Sequence, residues 1–207
     1  MEPRSFLASS TKVLVADTSA LINLNATNRA SQIIQALPNK LVVEQTVIEE
    51  LQFGRLRGRS DADIAERLAA DGVIEIGRLA TGGLDHFETL VAGSAVDTLD
   101  DGEAATIAFA LEKSAIPLVD ERKAHRICRE RFPSLQVAST LELLAHPNVE
   151  TALGRSELAD AVFQALLTAR MRVFIEYVDW VIELIGNDRA TRCVSLPRNV
   201  RERLQEP

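Results

Sequence analysis

Three short apolar runs each end on an acid: "KVLVAD" (12–17), "KLVVE" (40–44) and "IPLVD" (116–120). Short, β-branched, uninterrupted runs of this kind read as strands buried on both faces. Between them lie stretches with helical periodicity, and "DGEAATIAFALEKS" separates apolar from polar groups most clearly. Strands that alternate with helices pair in parallel, because each crossover returns the chain to the same edge of the sheet. The pattern therefore predicts an α/β fold with a central, mostly parallel sheet covered on both sides.

The finer reading follows the chain. After the first strand, "TSALINLNATNRASQIIQAL" is helical and stops at Pro38. "QTVIEELQFG" is a helix after the second strand, and "RLRGRS" a basic loop. "DADIAERLAADG" is a helix, "VIEIGRL" a third strand and "GGLDHFETLVAG" a short helix. "ERKAHRICRERF" is a basic helix, "LQVAS" a last short strand and "TLELLA" a helix. Beyond residue 147 the strand signal fades. "SELADAVFQALLTA" and "RVFIEYVDWVIELIG" read as two long helices and "TRCVSLP" as a terminal strand. This divides the chain into a domain over 1–147 and a C-terminal helical extension over 148–207. No internal repeat or low-complexity linker is present.

Composition narrows the class. The chain is 46% hydrophobic, enough for one domain with a proper core plus an appendage. Cys128 and Cys193 lie far apart without a CxxC partner, which disfavours a disulfide framework or zinc site and fits a reducing cytoplasm. "MEPRSFLASS" lacks the apolar core of a signal peptide. In the most apolar window, Glu176, Asp179 and Glu183 form one polar stripe, so the segment is an amphipathic helix and no membrane span. Its apolar residues (Val173, Phe174, Tyr177, Val178, Trp180, Val181, Leu184 and Ile185) complete the core or form a homodimer or partner-helix surface.

The net charge of −7 speaks against a nucleic-acid binder at the level of the whole chain. A carboxylate cluster that binds metal would itself make a chain acidic, so basic groups have to be sought locally. Arg55, Arg57 and Arg59 lie in "RLRGRS"; Arg122, Lys123, Arg126 and Arg129 follow Asp120. The plain alternative is a solvated face with local ion pairs, though the loop has no helical neighbours to pair with. Interleaved aromatics are absent, so base stacking is minor.

The acids are the informative residues. In open parallel sheets ligands bind at the carboxyl ends of the strands, and Asp17 and Asp120 both sit there. An ionised carboxylate beside apolar sheet residues is costly unless a cation pairs with it. Taken singly, each acid is explained as a helix cap or as a charge favoured by a helix N-terminus. As a set, Asp17, Glu49 or Glu50, Asp101 with Glu103, and Asp120 come from four segments that converge on one edge of such a sheet. Other acid-using folds fit less well. A dehalogenase-like phosphatase wants an Asp where Ser19 stands, a receiver wants its acceptor Asp later in the chain, and no glycine-rich loop follows the first strand.

The order "VADTSALINL … TVIEEL … DDGEAATIAFALE … PLVDERKAHRI" resembles the PIN domain, over residues 12–145. It most resembles the branch with GEA at the start of the later helix, a relative of the VapC-type toxins. The resemblance implies a three-layer α/β/α fold and a Mg²⁺- or Mn²⁺-dependent ribonuclease of the kind that includes the toxins of toxin–antitoxin pairs; hard carboxylate oxygens suit those ions. It implies Asp17, Glu50, Glu103 and Asp120 as catalytic, metal-binding acids, with Asp101 assisting. Glu49 is the alternative to Glu50, and Glu121 is the alternative to Asp120, where "VDER" departs from the threonine-containing strand end of many toxins. Thr18 or Ser19 would fix the Asp17 carboxylate or a bound water. Arg55, Arg57, Arg59, Arg122, Lys123 and Arg126 would grip the RNA backbone. His86, His125 and His146 fall outside the acidic set. Implied partners are RNA, an antitoxin and a second copy of the chain; the rival reading is an inactive PIN-like module that binds RNA or protein.

Overall fold

The computed structural model describes residues 6–205. The first five residues, part of the stretch read as lacking a signal peptide, lie outside the described residues. In chain order the elements are β1 (Leu14–Ala16), α1 (Thr18–Ala26), α2 (Ala30–Ala36), β2 (Leu41–Glu44), α3 (Gln45–Arg55), α4 (Asp61–Ala70) and β3 (Glu75–Gly77). Then come α5 (Thr81–Val91), α6 (Asp101–Lys113), β4 (Ile116–Leu118), α7 (Arg122–Arg131), α8 (Thr140–Leu144), α9 (Pro147–Leu153) and α10 (Arg155–Gln164). The last are α11 (Val178–Ile185), α12 (Asn187–Thr191) and α13 (Arg198–Arg203). The described residues divide into two compact units, one of residues 10–21 and 38–139, the other of 6–9, 22–37 and 140–205.

The first unit holds the sheet. Its order is β3-β2-β1-β4 and every pairing is parallel, with Leu14 opposite Leu41 on one side and Ile116 on the other. Every residue of β1, β2 and β4 is buried. Successive side chains point to opposite faces, so both faces of these strands are covered, as an α/β/α layering requires. Helix α6 lies across β1, β2 and β4, with Phe109 and Ala110 packed on Val15 and Val42. A second cluster joins Leu90 of α5, Ala104 and Ile107 of α6, Val119, and Ala124, Ile127 and Cys128 of α7. It locks the N-terminal turn of α6 against the segment that follows β4. Strands two and three lie on one side of β1 and β4 on the other, so the order reverses between β1 and β4. That reversal opens a crevice at the carboxyl ends of those two strands.

"LQVAS" forms less than a strand: a single parallel bridge joins Ala138 to Leu118, with Val119 N–H donating to Ala138 O at 3.0 Å. The expected helix over 18–37 is broken. Asn28 turns left-handed (φ 57°) and the Thr27 hydroxyl takes the Arg29 N–H at 3.0 Å, the local competition with helix that Thr and Asn side chains offer.

In the second unit α10 continues into a π-helical turn over Ala165–Ala169, ended by Arg170 at φ 55°. The following helix starts at Val178, later than its apolar pattern suggests. Tyr177, Val178, Trp180, Val181, Leu184 and Ile185 are buried within the chain while Glu176, Asp179 and Glu183 are exposed, so this face serves the core. "TRCVSLP" is no strand; it turns between α12 and α13, with Leu196 N–H bonded to Cys193 O at 3.1 Å. Among the described residues no helix is long and apolar enough to cross a membrane.

Glu44, the last residue of β2, holds two elements in place. Its side chain caps α3 through Thr46 N–H (2.6 Å) and takes Leu79 N–H (3.2 Å) from the chain leaving β3, at 3% exposure. Glu44→Ala takes the acceptor from both part-buried donors and is expected to cost about 1–3 kcal/mol, whereas Glu49→Ala on the exposed face of α3 stays within about 0.5 kcal/mol. Urea unfolding of the two variants checks the contrast.

Candidate active site

Asp17 is the first residue after β1. Its N–H continues the sheet by donating to Leu118 O at 3.1 Å, which puts its side chain beside the end of β4. The side chain is 2% exposed. Ala20 N–H donates to Oδ1 at 2.6 Å, and the Ser19 hydroxyl faces Oδ1 and Oδ2 at 3.0 and 2.9 Å. Asp17 therefore does cap α1, but a cap is normally solvated and this one is not. Burial holds its carboxyl well above the usual range; the negative Asp120 and Glu103 push the same way, against the hydrogen bonds of Ala20 and Ser19. Asp120, two residues past β4, is buried too.

The other acids arrive on helices. Glu50 sits in α3, which starts directly after β2. Oε1 accepts Gly102 N–H at 2.8 Å and Oε2 accepts the Thr18 hydroxyl. Of the two hydroxyls, Thr18 thus fixes Glu50 and Ser19, with Ala20 N–H, fixes Asp17. Partial burial raises the Glu50 carboxyl; Asp100 and Asp101 add to this, and the Thr18 and Gly102 bonds oppose it. Glu103 opens α6 and is pushed up to about 7, first by burial, then by Asp100 and Glu121, with Lys123 opposing and Glu50 adding. Asp101 is exposed beside it. Glu49 is exposed and engaged by Gln45 at 3.2 Å.

Four segments thus bring acids into one another's electrostatic field: Asp17 feels Asp120 and Glu103, and Glu103 feels Glu50 and Glu121. Asp17, Glu50 and Glu103 make no ion pair with Lys or Arg among the described residues. The donor set fits a hard divalent cation in type and in its uncompensated charge. As the side chains stand, no three of His, Cys, Asp and Glu among the described residues form a group that could hold an ion; side-chain rotation would have to close the shell. Asp100 was not among the expected residues. Its side chain caps α6 by accepting Glu103 N–H at 3.2 Å, and the D-x-x-E pattern of "DDGE" is the signal for it.

The histidines stand apart. His86 packs edge-on against Phe132, and a ring nitrogen of His125 lies 2.8 Å from Val119 O. His146 caps α9 through Nδ1, in the other unit.

The basic groups are more engaged than their loop and helix positions suggest. Arg55 lies in the last turn of α3 and pairs with Asp63 and Glu66 of α4 at 2.6 and 2.7 Å, so the loop does have a helical neighbour. Arg59 lies 3.5 Å from Asp61. Lys123 donates to Ala95 O, and Arg126 to Val96 O and Glu130. Arg57 and Arg122 are exposed and make no ion pair among the described residues.

A family model described as a PIN domain matches residues 13–187. No curated protein and no solved structure matches the chain.

The raised carboxyls make a stability prediction. The folded state binds these protons more tightly than the unfolded chain, so their ionisation lowers stability as pH rises from the ordinary carboxylate range through about 7. Asp17→Asn removes one of the buried charges. In the presence of a chelator it is expected to raise Tm at pH 8 by at least about 3 °C, equivalent to about 1 kcal/mol for a chain of this size, and to flatten the fall in Tm between pH 5 and 8. Thermal unfolding followed by circular dichroism checks both.

Proposed function

The chain belongs to the PIN-domain family, a nuclease-like fold, and from that premise we propose that it is a Mg²⁺- or Mn²⁺-dependent endoribonuclease of the cytoplasm. The carrying observation is the buried Asp17 carboxylate at the carboxyl end of β1, beside Asp120 and Glu103 and without an ion pair among the described residues. A charge arranged at that cost serves binding better than stability.

In this reading Asp17, Asp120, Glu103 and Glu50 hold the cation, and Asp101 assists from the rim. When bound, the ion lowers the pKa of a water and offsets charge on the phosphodiester under attack. The strand ends hold Asp17 and Asp120 in place, with Ser19 and Ala20 N–H orienting the first. Thr18 and Gly102 N–H orient Glu50. Arg57 and Arg122 are available to backbone phosphates, and Arg55, Arg59, Lys123 and Arg126 join by exchanging their present carboxylate or carbonyl partners for phosphate. An antitoxin partner and self-association belong to the same reading; co-expression with the product of an adjacent reading frame tests the first.

A non-cleaving RNA- or protein-binding module is the second reading. It is favoured by one observation: among the described residues no three potential ligands already surround one point.

Incubation of labelled single-stranded RNA with Mg²⁺ or Mn²⁺ decides between them. Asp17→Ala and Glu103→Gln are expected to lower the cleavage rate at least about a hundredfold, no less than the loss of a residue that merely supports a ligand, with RNA affinity retained in filter binding. RNA binding by the wild type without metal-dependent cleavage would establish the second reading.

A further inference from the structure

Glu50 reaches across the fold to the end of a helix that is not its own. Gly102 is the second residue of α6, and its N–H is one of the donors that a helix start leaves unpaired. Asp100 satisfies Glu103 N–H from within the same turn, and Glu50 satisfies Gly102 N–H from α3. The other Glu50 oxygen takes the Thr18 hydroxyl from the first residue of α1. One carboxylate thus ties three segments together at the edge where the remaining acids gather.

The carboxylate can come this close because residue 102 has no side chain. A Cβ built there would stand 2.7 Å from Glu50 Cδ and from Oε1, and closer still to Oε2. Contacts of that length are not sustained, and the obstructing atoms are the free end of a flexible side chain, so the Glu50 carboxylate would give way and leave its place. Backbone conformation offers no competing reason for glycine at this position: Gly102 lies inside a regular helical turn and is absent from the positive-φ residues. Helix propensity gives no reason for it either, since glycine is a poorer helix former than alanine.

We propose that Gly102 is a positioning residue: its missing side chain is the seat of the Glu50 carboxylate, and its N–H, with the Thr18 hydroxyl, sets the direction in which Glu50 faces the cation. The claim about the cation rests on the nuclease reading; the claim about the seat does not. Alanine at 102 improves the helix and evicts the ligand, which separates positioning from a merely structural role.

The test is a cycle of Gly102→Ala, Glu50→Ala and the double variant, read in two ways. Metal-free Tm comes first. Adding Gly102→Ala is expected to be at least about 3 °C more favourable in the Glu50→Ala background than in the wild type, because only in the wild type does the displaced carboxylate give up its bond to the residue 102 N–H. An equal Tm change in both backgrounds overturns the seat. Mn²⁺ affinity, followed by the electron-paramagnetic-resonance signal of free Mn²⁺, comes second. Gly102→Ala is expected to weaken it at least tenfold and Thr18→Val to a lesser degree; unchanged affinity in Gly102→Ala overturns the positioning role. Should the wild type fail to bind Mn²⁺ saturably, the nuclease reading falls and the Tm cycle still decides the seat. If Gly102→Ala alone does not fold but the double variant does, the coupling is demonstrated in its strongest form.

Discussion

Parallel pairing of β1 with β2 on one side and β4 on the other is the interaction on which the first unit depends. It makes β1 an inner strand, burying all three of its residues and sending the chain out of the sheet at Asp17. The rung from Asp17 N–H to Leu118 O carries the pairing one residue further than the strand itself. Because β4 pairs in parallel, its own exit lies at the same edge, and Asp120 emerges next to Asp17. An antiparallel β4 would have sent that acid to the opposite end of the sheet. Helix α6, packed across the strands by Phe109 and Ala110, brings Asp100, Asp101 and Glu103 to the same edge with its N-terminus leading.

Carboxylates gathered in this way work against the stability of the fold. Desolvation is the largest cause raising Asp17, Glu50 and Glu103, and nearby acids raise each further: Asp120 and Glu103 act on Asp17, Asp100 and Asp101 on Glu50, and Asp100, Glu121 and Glu50 on Glu103. The structure moderates the cost with neutral donors: Ser19 and Ala20 N–H for Asp17, Thr18 and Gly102 N–H for Glu50. Neutral donors orient a carboxylate without cancelling its charge. An arginine in the same place would cancel that charge and stabilise the fold. Glu44 shows the contrast within the same sheet. It is equally buried, but both its oxygens close off backbone donors and its role is purely architectural.

Legibility in the sequence varied with how local the cause was. "KVLVAD", "KLVVE" and "IPLVD" were readable because a buried parallel strand needs only a few β-branched residues in a row. "DDGE" was readable as a helix start, and the Asp100 cap lay within its pattern. "TRCVSLP" reads as a strand on composition, yet it turns between two helices, in the unit that holds none of the four strands of the sheet. The apolar face around Trp180 was ambiguous between core and interface, since hydrophobicity alone does not say which surface covers it. The paired state of Arg55 was equally hidden, because Asp63 and Glu66 approach it through the fold of α3 onto α4.

The sequence by itself determined the class of fold, the acids that end its strands and the order in which they occur, because burial patterning and strand-end chemistry are written in neighbouring residues. Only the tertiary structure decided which hydroxyl holds which acid, why residue 102 is glycine and which cations remain available. Those depend on atoms dozens of residues apart meeting within hydrogen-bond distance, and no local pattern encodes an approach of that kind.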